Sequence, residues 1–132
     1  KMIAVEPAES PVIAGGKSGP HKIQGIGAGF VPKNLDKSLI DGIEAVSSEE
    51  SLKMAREIIK TEGIPVGISS GAAVVAALRI AAKEENRGKN IVVMIASYTE
   101  RYLSTLLAEQ ERTEAAQLQV SVPTDAYLAK LN

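Results

Sequence analysis

The sequence predicts an α/β fold of three layers, in which a parallel β-sheet has helices on both faces. Short apolar runs alternate along the chain with segments of helical period, and this order requires crossover connections between parallel strands. Small or polar residues follow three of these runs, at Glu6-Pro7, Ser69-Ser70-Gly71 and Ala96-Ser97-Tyr98. Because ligands bind beyond the carboxyl ends of parallel strands, these three segments form the candidate site.

The first part of the chain contains two predicted strands joined by a long loop. The apolar run at residues 2–5 predicts the first strand, and the run at residues 43–46 predicts the second. Residues 8–34 between them are rich in Gly and Pro and follow no period. We therefore expect a long ordered loop, a kind of segment that is usually functional in a compact domain.

A helix is predicted directly after the second strand. Ser47 and Glu50 have the spacing of a capping box, in which each side chain accepts a hydrogen bond from the other residue's backbone. Apolar residues then recur at helical spacing and form one stripe. Gly63 is expected to end this helix in a left-handed conformation.

The second part of the chain continues the alternation. The predicted elements are, in order, a buried strand at 64–68, a turn at 69–71, an Ala-rich helix at 72–85 ended by Gly88, a strand at 91–95 and a helix at 100–110. After Arg112 the pattern weakens and predicts an irregular or partly docked helix. We therefore divide the chain into a domain at 1–110 and a tail at 111–132.

Composition excludes several classes of function. The net charge of −1 provides no basic surface for nucleic acid or an anionic membrane, and no apolar run reaches the 18 residues of a membrane span. The absence of Cys and the single histidine, His21, argue against a metal cluster or a catalytic triad. In Gly19-Pro20-His21-Lys22 the histidine is expected to anchor a loop through hydrogen bonds. The N-terminus has no signal-peptide pattern and opens within an apolar run, so we expect a longer parent polypeptide.

Two motifs allow more than one interpretation. The segment Gly67–Ala73 offers a ligand close approach and the free N–H groups of a helix start, but Ser69 or Ser70 would also serve as a simple helix cap. The segment Gly25-Ile26-Gly27-Ala28-Gly29 has its third glycine misplaced for dinucleotide binding and does not lie between a strand and a helix. A mobile loop near a ligand is the better interpretation.

Four segments together resemble the C-terminal third of cysteine synthases (O-acetylserine sulfhydrylases). They are Val5-Glu6-Pro7 with Ser10-Pro11, the run from Gly19 to Phe30, the run from Gly67 to Ala73, and Glu100-Arg101-Tyr102-Leu103-Ser104-Thr105. The resemblance extends to about residue 107 and implies a tryptophan-synthase-β-like fold that binds pyridoxal phosphate. It also implies that O-acetylserine and sulfide are converted to cysteine and acetate. Residues 1–110 would then be the C-terminal part of the large cofactor-binding domain.

The resemblance assigns roles to individual residues. Ser69 would donate a hydrogen bond to the pyridine nitrogen of the cofactor, and Ala96 and Ser97 would border the pyridine edge. A loop at the substrate entrance would include the residues Gln24, Gly25, Ile26, Gly27, Ala28 and Phe30. No catalytic residue is assigned within this chain, because the segment with the Schiff-base lysine precedes the part that it resembles. The chain alone is therefore expected to be inactive.

Two positions depart from the family pattern, with Ala96 where Pro is usual and Thr99 where Gly is usual. A Thr with positive φ would be strained, so we expect that the turn at Thr99 has formed with ordinary dihedral angles. The departures leave open a non-catalytic paralogue. A second alternative is another β-eliminating enzyme, of the cystathionine β-synthase or serine/threonine dehydratase type.

The resemblance also implies partners. We expect a cytoplasmic homodimer whose entrance receives the C-terminal tail of serine acetyltransferase, and we expect no bound metal, nucleic acid or membrane.

Overall fold

A computed structural model describes residues 1–123 and residue 129. Two short strands, β1 (Ile3–Pro7) and β2 (Gly42–Val46), pair in parallel, with Ile3 opposite Gly42 and Pro7 opposite Val46. The helices are α1 (Ser48–Glu62), α2 (Ile68–Ala81) and α3 (Glu109–Gln117). Short 3₁₀ helices lie at Lys37–Leu39, Glu84–Asn86, Thr99–Tyr102 and Leu106–Ala108. The predicted α/β class with a parallel sheet and helices is confirmed.

The first predicted helix is confirmed together with both of its end signals. The Ser47 side chain accepts from the Glu50 backbone, and the Glu50 carboxylate accepts from the Ser47 backbone N–H. Hydrogen bonds from the Ser47 hydroxyl and backbone, followed by one from Arg79, hold the pKa of Glu50 below its ordinary value. Gly63 ends α1 with a φ of 69°, as expected of a left-handed cap.

Helix α2 is the centre of the packing. It contacts α1 and both strands, and α1 approaches it closely because the crossing point on α2 is Gly71. The core is built mainly from aliphatic side chains with Tyr102 as its aromatic member; the buried residues are Ile23, Val46, Leu52, Ala55, Val66, Ile68, Ala72, Ala76, Tyr102 and Leu107. Ile23 brings the long loop into this core, so the loop at 8–34 is ordered as predicted.

Two predicted strands are wrong. Residues 64–68 contain only one isolated bridge, from Val66 to Tyr98, because α2 already begins at Ile68. Residues 91–95 form no strand, and Val92 is 95% exposed. The backbone groups of this segment have no hydrogen-bond partner within the described part of the chain, and a strand cannot form without one. The sheet described here therefore has two strands.

The predicted turn at residues 69–71 is also wrong, because these residues form the first turn of α2. Gly67 is the N-cap in an extended conformation, so the chain turns two residues earlier than expected. Helix α2 ends at Ala81 rather than at residue 85, and a 3₁₀ turn then leads to Gly88, which has a φ of 73°.

The predicted C-terminal helix is divided. Residues 100–110 form two 3₁₀ helices and the start of α3, and the tail continues as a regular, exposed helix to Gln117. The remaining part of the tail prediction, at 124–128 and 130–132, lies outside the described residues. Within the described ranges, no helix has the length and apolar character needed to cross a membrane.

Candidate functional site

A groove of about 1170 Å³ lies between the two strands, α2 and the segment at 90–96. Its walls are mostly apolar and include Val5 and Ile43 from the strands. Ser69 and Ala96, two of the three predicted cofactor-binding residues, line this groove together with Ile26 of the predicted entrance loop. The structure thus brings residues from three distant parts of the sequence to one cavity.

Ser69 carries a free hydroxyl at the start of α2. Ser69 is the second residue of the helix and is only partly buried, and its hydroxyl makes no hydrogen bond to the part of the chain that the structure describes. Neither Ser69 nor Ser70 caps α2, since the N-cap is Gly67 and no side chain closes that end. The simple capping interpretation of these serines is therefore wrong. The N–H groups of Ser70 and Gly71 donate to the Gly67 carbonyl, and those of Ile68 and Ser69 have no acceptor among the described residues and remain available to a ligand.

The entrance loop, residues 24–30, has a backbone conformation that requires glycine at three positions. Gly25, Gly27 and Gly29 have φ values of 102°, 67° and 80°, which side-chain-bearing residues rarely adopt. A Cβ on Gly25 would lie 3.4 Å from Ser69 Oγ, so the loop passes directly beside that hydroxyl. The positive φ values explain the glycine pattern without a bound nucleotide.

The other predicted loop residues lie at the surface. Gln24 lines a smaller cavity of about 380 Å³ beside Lys22 and Ile68. Ala28 and Phe30 are exposed.

His21 holds the loop from beneath, and the expected anchoring role is confirmed. Its Nε2 lies 2.8 Å from the Gly27 carbonyl oxygen, and its Nδ1 accepts from the Ile23 backbone N–H at 3.2 Å. A Cβ on Gly27 would lie 2.6 Å from His21 Nε2 and 2.5 Å from Pro7 Cγ. The loop is therefore pressed against β1 at this point.

Ser97 supports the site rather than lining the groove. Its Oγ lies 2.8 Å from the Tyr102 hydroxyl, and its carbonyl accepts from the Gly67 N–H at 2.8 Å. A Cβ on Gly67 would lie 2.5 Å from both Ser97 Oγ and Tyr102 Cε2. This close packing fixes the start of α2, and therefore Ser69, against residues 97–102. The sequence pattern does not identify Tyr102 or Gly67 as a support, although Tyr102 is one of only three tyrosines and belongs to the Glu100–Thr105 motif.

The turn at Thr99 has ordinary dihedral angles, as expected. Its φ is not positive, its backbone N–H donates to the Pro65 carbonyl at 2.9 Å, and its Oγ1 donates to the Val66 carbonyl at 2.8 Å. Thr99 therefore needs no glycine-like conformation, and its hydroxyl makes a hydrogen bond that a glycine could not make.

We predict that Thr99→Gly destabilises the protein. The loss combines roughly 0.5–1 kcal/mol of unfolded-state entropy with about 1 kcal/mol for the hydrogen bond to Val66. Thr99→Ser is the control, because it keeps the hydroxyl and should stay within about 0.5 kcal/mol of the parent. Urea unfolding followed by circular dichroism measures both. A Thr99→Gly variant at least as stable as the parent would show that the position is strained.

The chain is similar to known proteins over most of its length. A family described as "Pyridoxal-phosphate dependent enzyme" matches residues 1–97. The chain is 60% identical over 111 residues to a cysteine synthase of Buchnera aphidicola, covering 80% of this chain and 34% of that protein. It is 59% identical over 113 residues to the cysteine synthase of Haemophilus influenzae, covering 81% of this chain and 36% of that protein.

A solved structure agrees with these sequence relatives. The cysteine synthase of Entamoeba histolytica superposes with a TM-score of 0.80 at 44% identity, over 99% of this chain and 36% of that one. The chain therefore spans about a third of the length of the proteins it matches.

Proposed function

The chain belongs to the pyridoxal-phosphate-dependent enzyme family, and from this premise we propose that it acts as the C-terminal part of a cysteine synthase. The observation that carries the proposal is the free Ser69 hydroxyl, which stands at the start of α2 beside both the groove and the entrance loop. Curated relatives at 59–60% identity over this region are cysteine synthases.

The residues present fit pyridoxal phosphate. Ser69 Oγ has no hydrogen-bond partner among the described residues and would donate a hydrogen bond to the pyridine nitrogen. Ala96 would border the ring. When bound, the cofactor supplies an electron-withdrawing ring that allows acetate to leave O-acetylserine and sulfide to take its place. The Ser69 hydroxyl, being neutral, would not favour a protonated ring nitrogen, and this would favour prompt departure of the leaving group over side reactions.

The chain's other residues position and enclose the reactants. The hydroxyl pair of Ser97 and Tyr102 holds the start of α2, so that Ser69 keeps its direction. The entrance loop would close over O-acetylserine and exclude water, and its glycines permit the backbone change. The covalent attachment of the cofactor would come from the other two thirds of the enzyme, which would also cover the apolar segment at 91–95.

The proposal extends to the surroundings of the enzyme. A homodimer, a cytoplasmic location and docking of the serine acetyltransferase tail at the entrance are parts of it.

A chimera tests the proposal. The matching third of the Haemophilus influenzae cysteine synthase is replaced by this chain, and cysteine formation from O-acetylserine and sulfide is measured. We expect the chimera to form cysteine. A folded chimera that binds the cofactor but makes no cysteine would support the non-catalytic alternative. Efficient formation of cystathionine from homocysteine, with little cysteine from sulfide, would support a cystathionine β-synthase instead.

Ser69 variants of the chimera test the role of its hydroxyl. Loss of one hydrogen bond in Ser69→Ala should lower kcat/KM roughly fivefold. Ser69→Asp should lower it further, because a carboxylate favours a protonated ring nitrogen. Ser70→Ala is the matched control: the Ser70 hydroxyl is buried without a hydrogen bond to a described residue, and its removal should leave turnover unchanged. Equal turnover in all three variants would remove Ser69 from the site.

A further inference from the structure

His21 connects a rigid support to the entrance loop through both of its ring nitrogens. On one side, Nδ1 accepts from the N–H of Ile23, whose side chain is completely buried in the core. On the other side, Nε2 faces the Gly27 carbonyl at 2.8 Å, in the middle of the loop. The ring therefore spans from the core to the segment that would move on closure.

The hydrogen bonds assign the tautomer of this histidine. Since Nδ1 accepts a hydrogen bond from an N–H group, it carries no proton, and the proton of the neutral ring lies on Nε2. Nε2 then donates to the Gly27 carbonyl, which has no proton of its own to give. Each nitrogen thus has a different contact, and each contact can be removed separately.

The support beneath the ring is fixed by a second set of contacts. The Lys22 N–H donates to Ser48 Oγ at 2.8 Å, and the Ser48 N–H donates to Glu9 Oε1 at 2.8 Å. Partial desolvation of the Glu9 carboxyl would raise its pKa, but hydrogen bonds from Ser48 and from its own backbone, together with the nearby His21, outweigh that effect and hold the pKa below the ordinary value. The backbone next to His21 is therefore fixed to the start of α1, and the contact from Nε2 to Gly27 extends this fixed structure to the entrance loop.

From this geometry we infer that His21 is a positioning residue, which sets the resting position of the entrance loop and thereby the access of O-acetylserine to the Ser69 side of the groove. The Nε2 contact to Gly27 performs this role, and the Nδ1 contact only orients the ring. Gly25 carries the effect to the site, because it lies in the same loop and packs beside Ser69 Oγ. The link to O-acetylserine rests on the proposed function, whereas the control of the loop does not.

Two substitutions separate the contacts. In His21→Gln the side-chain amide reaches about as far as Nε2, so the donation to Gly27 is kept and the acceptor for Ile23 is lost. In His21→Asn the amide oxygen stands near the position of Nδ1, so the acceptor for Ile23 is kept and Gly27 is out of reach. The rate of chymotrypsin cleavage after Phe30, at the end of the loop, is measured in the full 132-residue chain, with cleavage after Leu52 of α1 as the internal reference.

We expect cleavage in the loop to rise roughly fivefold in His21→Asn, as loss of one hydrogen bond predicts, and less than twofold in His21→Gln, with cleavage in α1 unchanged in both. In the chimera, His21→Asn should raise KM for O-acetylserine by a similar factor and change kcat little. The inference is overturned if His21→Gln speeds cleavage of the loop as much as His21→Asn does, or if cleavage rises equally in α1. The cleavage result stands even if the chimera makes no cysteine, so failure of the proposed function is recognised separately.

Discussion

Replacing Gly71 by alanine is expected to destabilise the protein by about 3 kcal/mol, at the upper end of the cost of overpacking. A Cβ at this position would lie 2.1 Å from the Ser51 carbonyl oxygen and 2.9 Å from the Ala55 backbone nitrogen. Both obstacles are backbone atoms of α1, so neither can rotate away. Without a neighbour, Gly→Ala inside a helix stabilises by roughly 0.5–1 kcal/mol, and the opposite sign is therefore diagnostic of the close contact.

Urea unfolding of the chain measures this effect, and Gly42→Ala is its matched control. The nearest atom to a Cβ on Gly42 is the flexible end of the Ile3 side chain, at 3.1 Å, so the control should change stability by less than about 1 kcal/mol. A Gly71→Ala variant as stable as the parent would contradict the helix crossing described here.

Replacing Ile23 by alanine is expected to cost about 3 kcal/mol, within the range for emptying a buried isoleucine site. Ile23 is 0% exposed and is the residue by which the long loop enters the core. Its backbone N–H also holds the His21 ring. The cavity should therefore weaken the site as well as the core, and chymotrypsin should cleave the entrance loop faster in this variant.

Ile64→Ala is the control for this change, because it removes the same atoms from a side chain that is 49% exposed. Its cost should be below about 1 kcal/mol. Denaturant unfolding distinguishes the two variants. Similar losses of stability at both positions would mean that the loop is not anchored in the core through Ile23.

Local signals in the sequence predicted the structure where short-range hydrogen bonds decide it. Helix α1 is predicted correctly by the signals at its two ends. The capping box joins Ser47 to Glu50, three residues apart, and the left-handed cap depends on the backbone of Gly63 itself. The strand at 91–95 was predicted from its apolar character alone. Its outcome depends on a neighbouring strand to pair with, and the described part of the chain provides none.

The start of α2 shows how tertiary packing overrides local turn signals. Ser69-Ser70-Gly71 was predicted as a turn because these residues are small and polar. In the structure Gly71 belongs to the helix, since the absence of a Cβ lets α1 cross there. A glycine that serves helix packing and a glycine that serves a turn are indistinguishable without knowledge of the opposite surface.

The sequence predicts several residues of the candidate site, but not the contacts that hold them in place. Ser69, Ala96 and Ile26 were selected from the sequence, and the structure places them around one groove. The contact between Ser97 and Tyr102 and the close approach at Gly67 were not foreseen. Contacts of this kind depend on how a turn orients two side chains, which residue order does not specify.

The most direct test of the account locates the covalent attachment of the cofactor. The chimera and the 132-residue chain are each incubated with pyridoxal phosphate, reduced with borohydride, digested and mapped by mass spectrometry. We predict a single stoichiometric pyridoxyl-lysine in the part of the chimera contributed by the Haemophilus influenzae enzyme. We predict no specific label in residues 1–132. A stoichiometric label at one lysine of this chain would contradict the claim that it provides the pyridine side of the site without the covalent anchor.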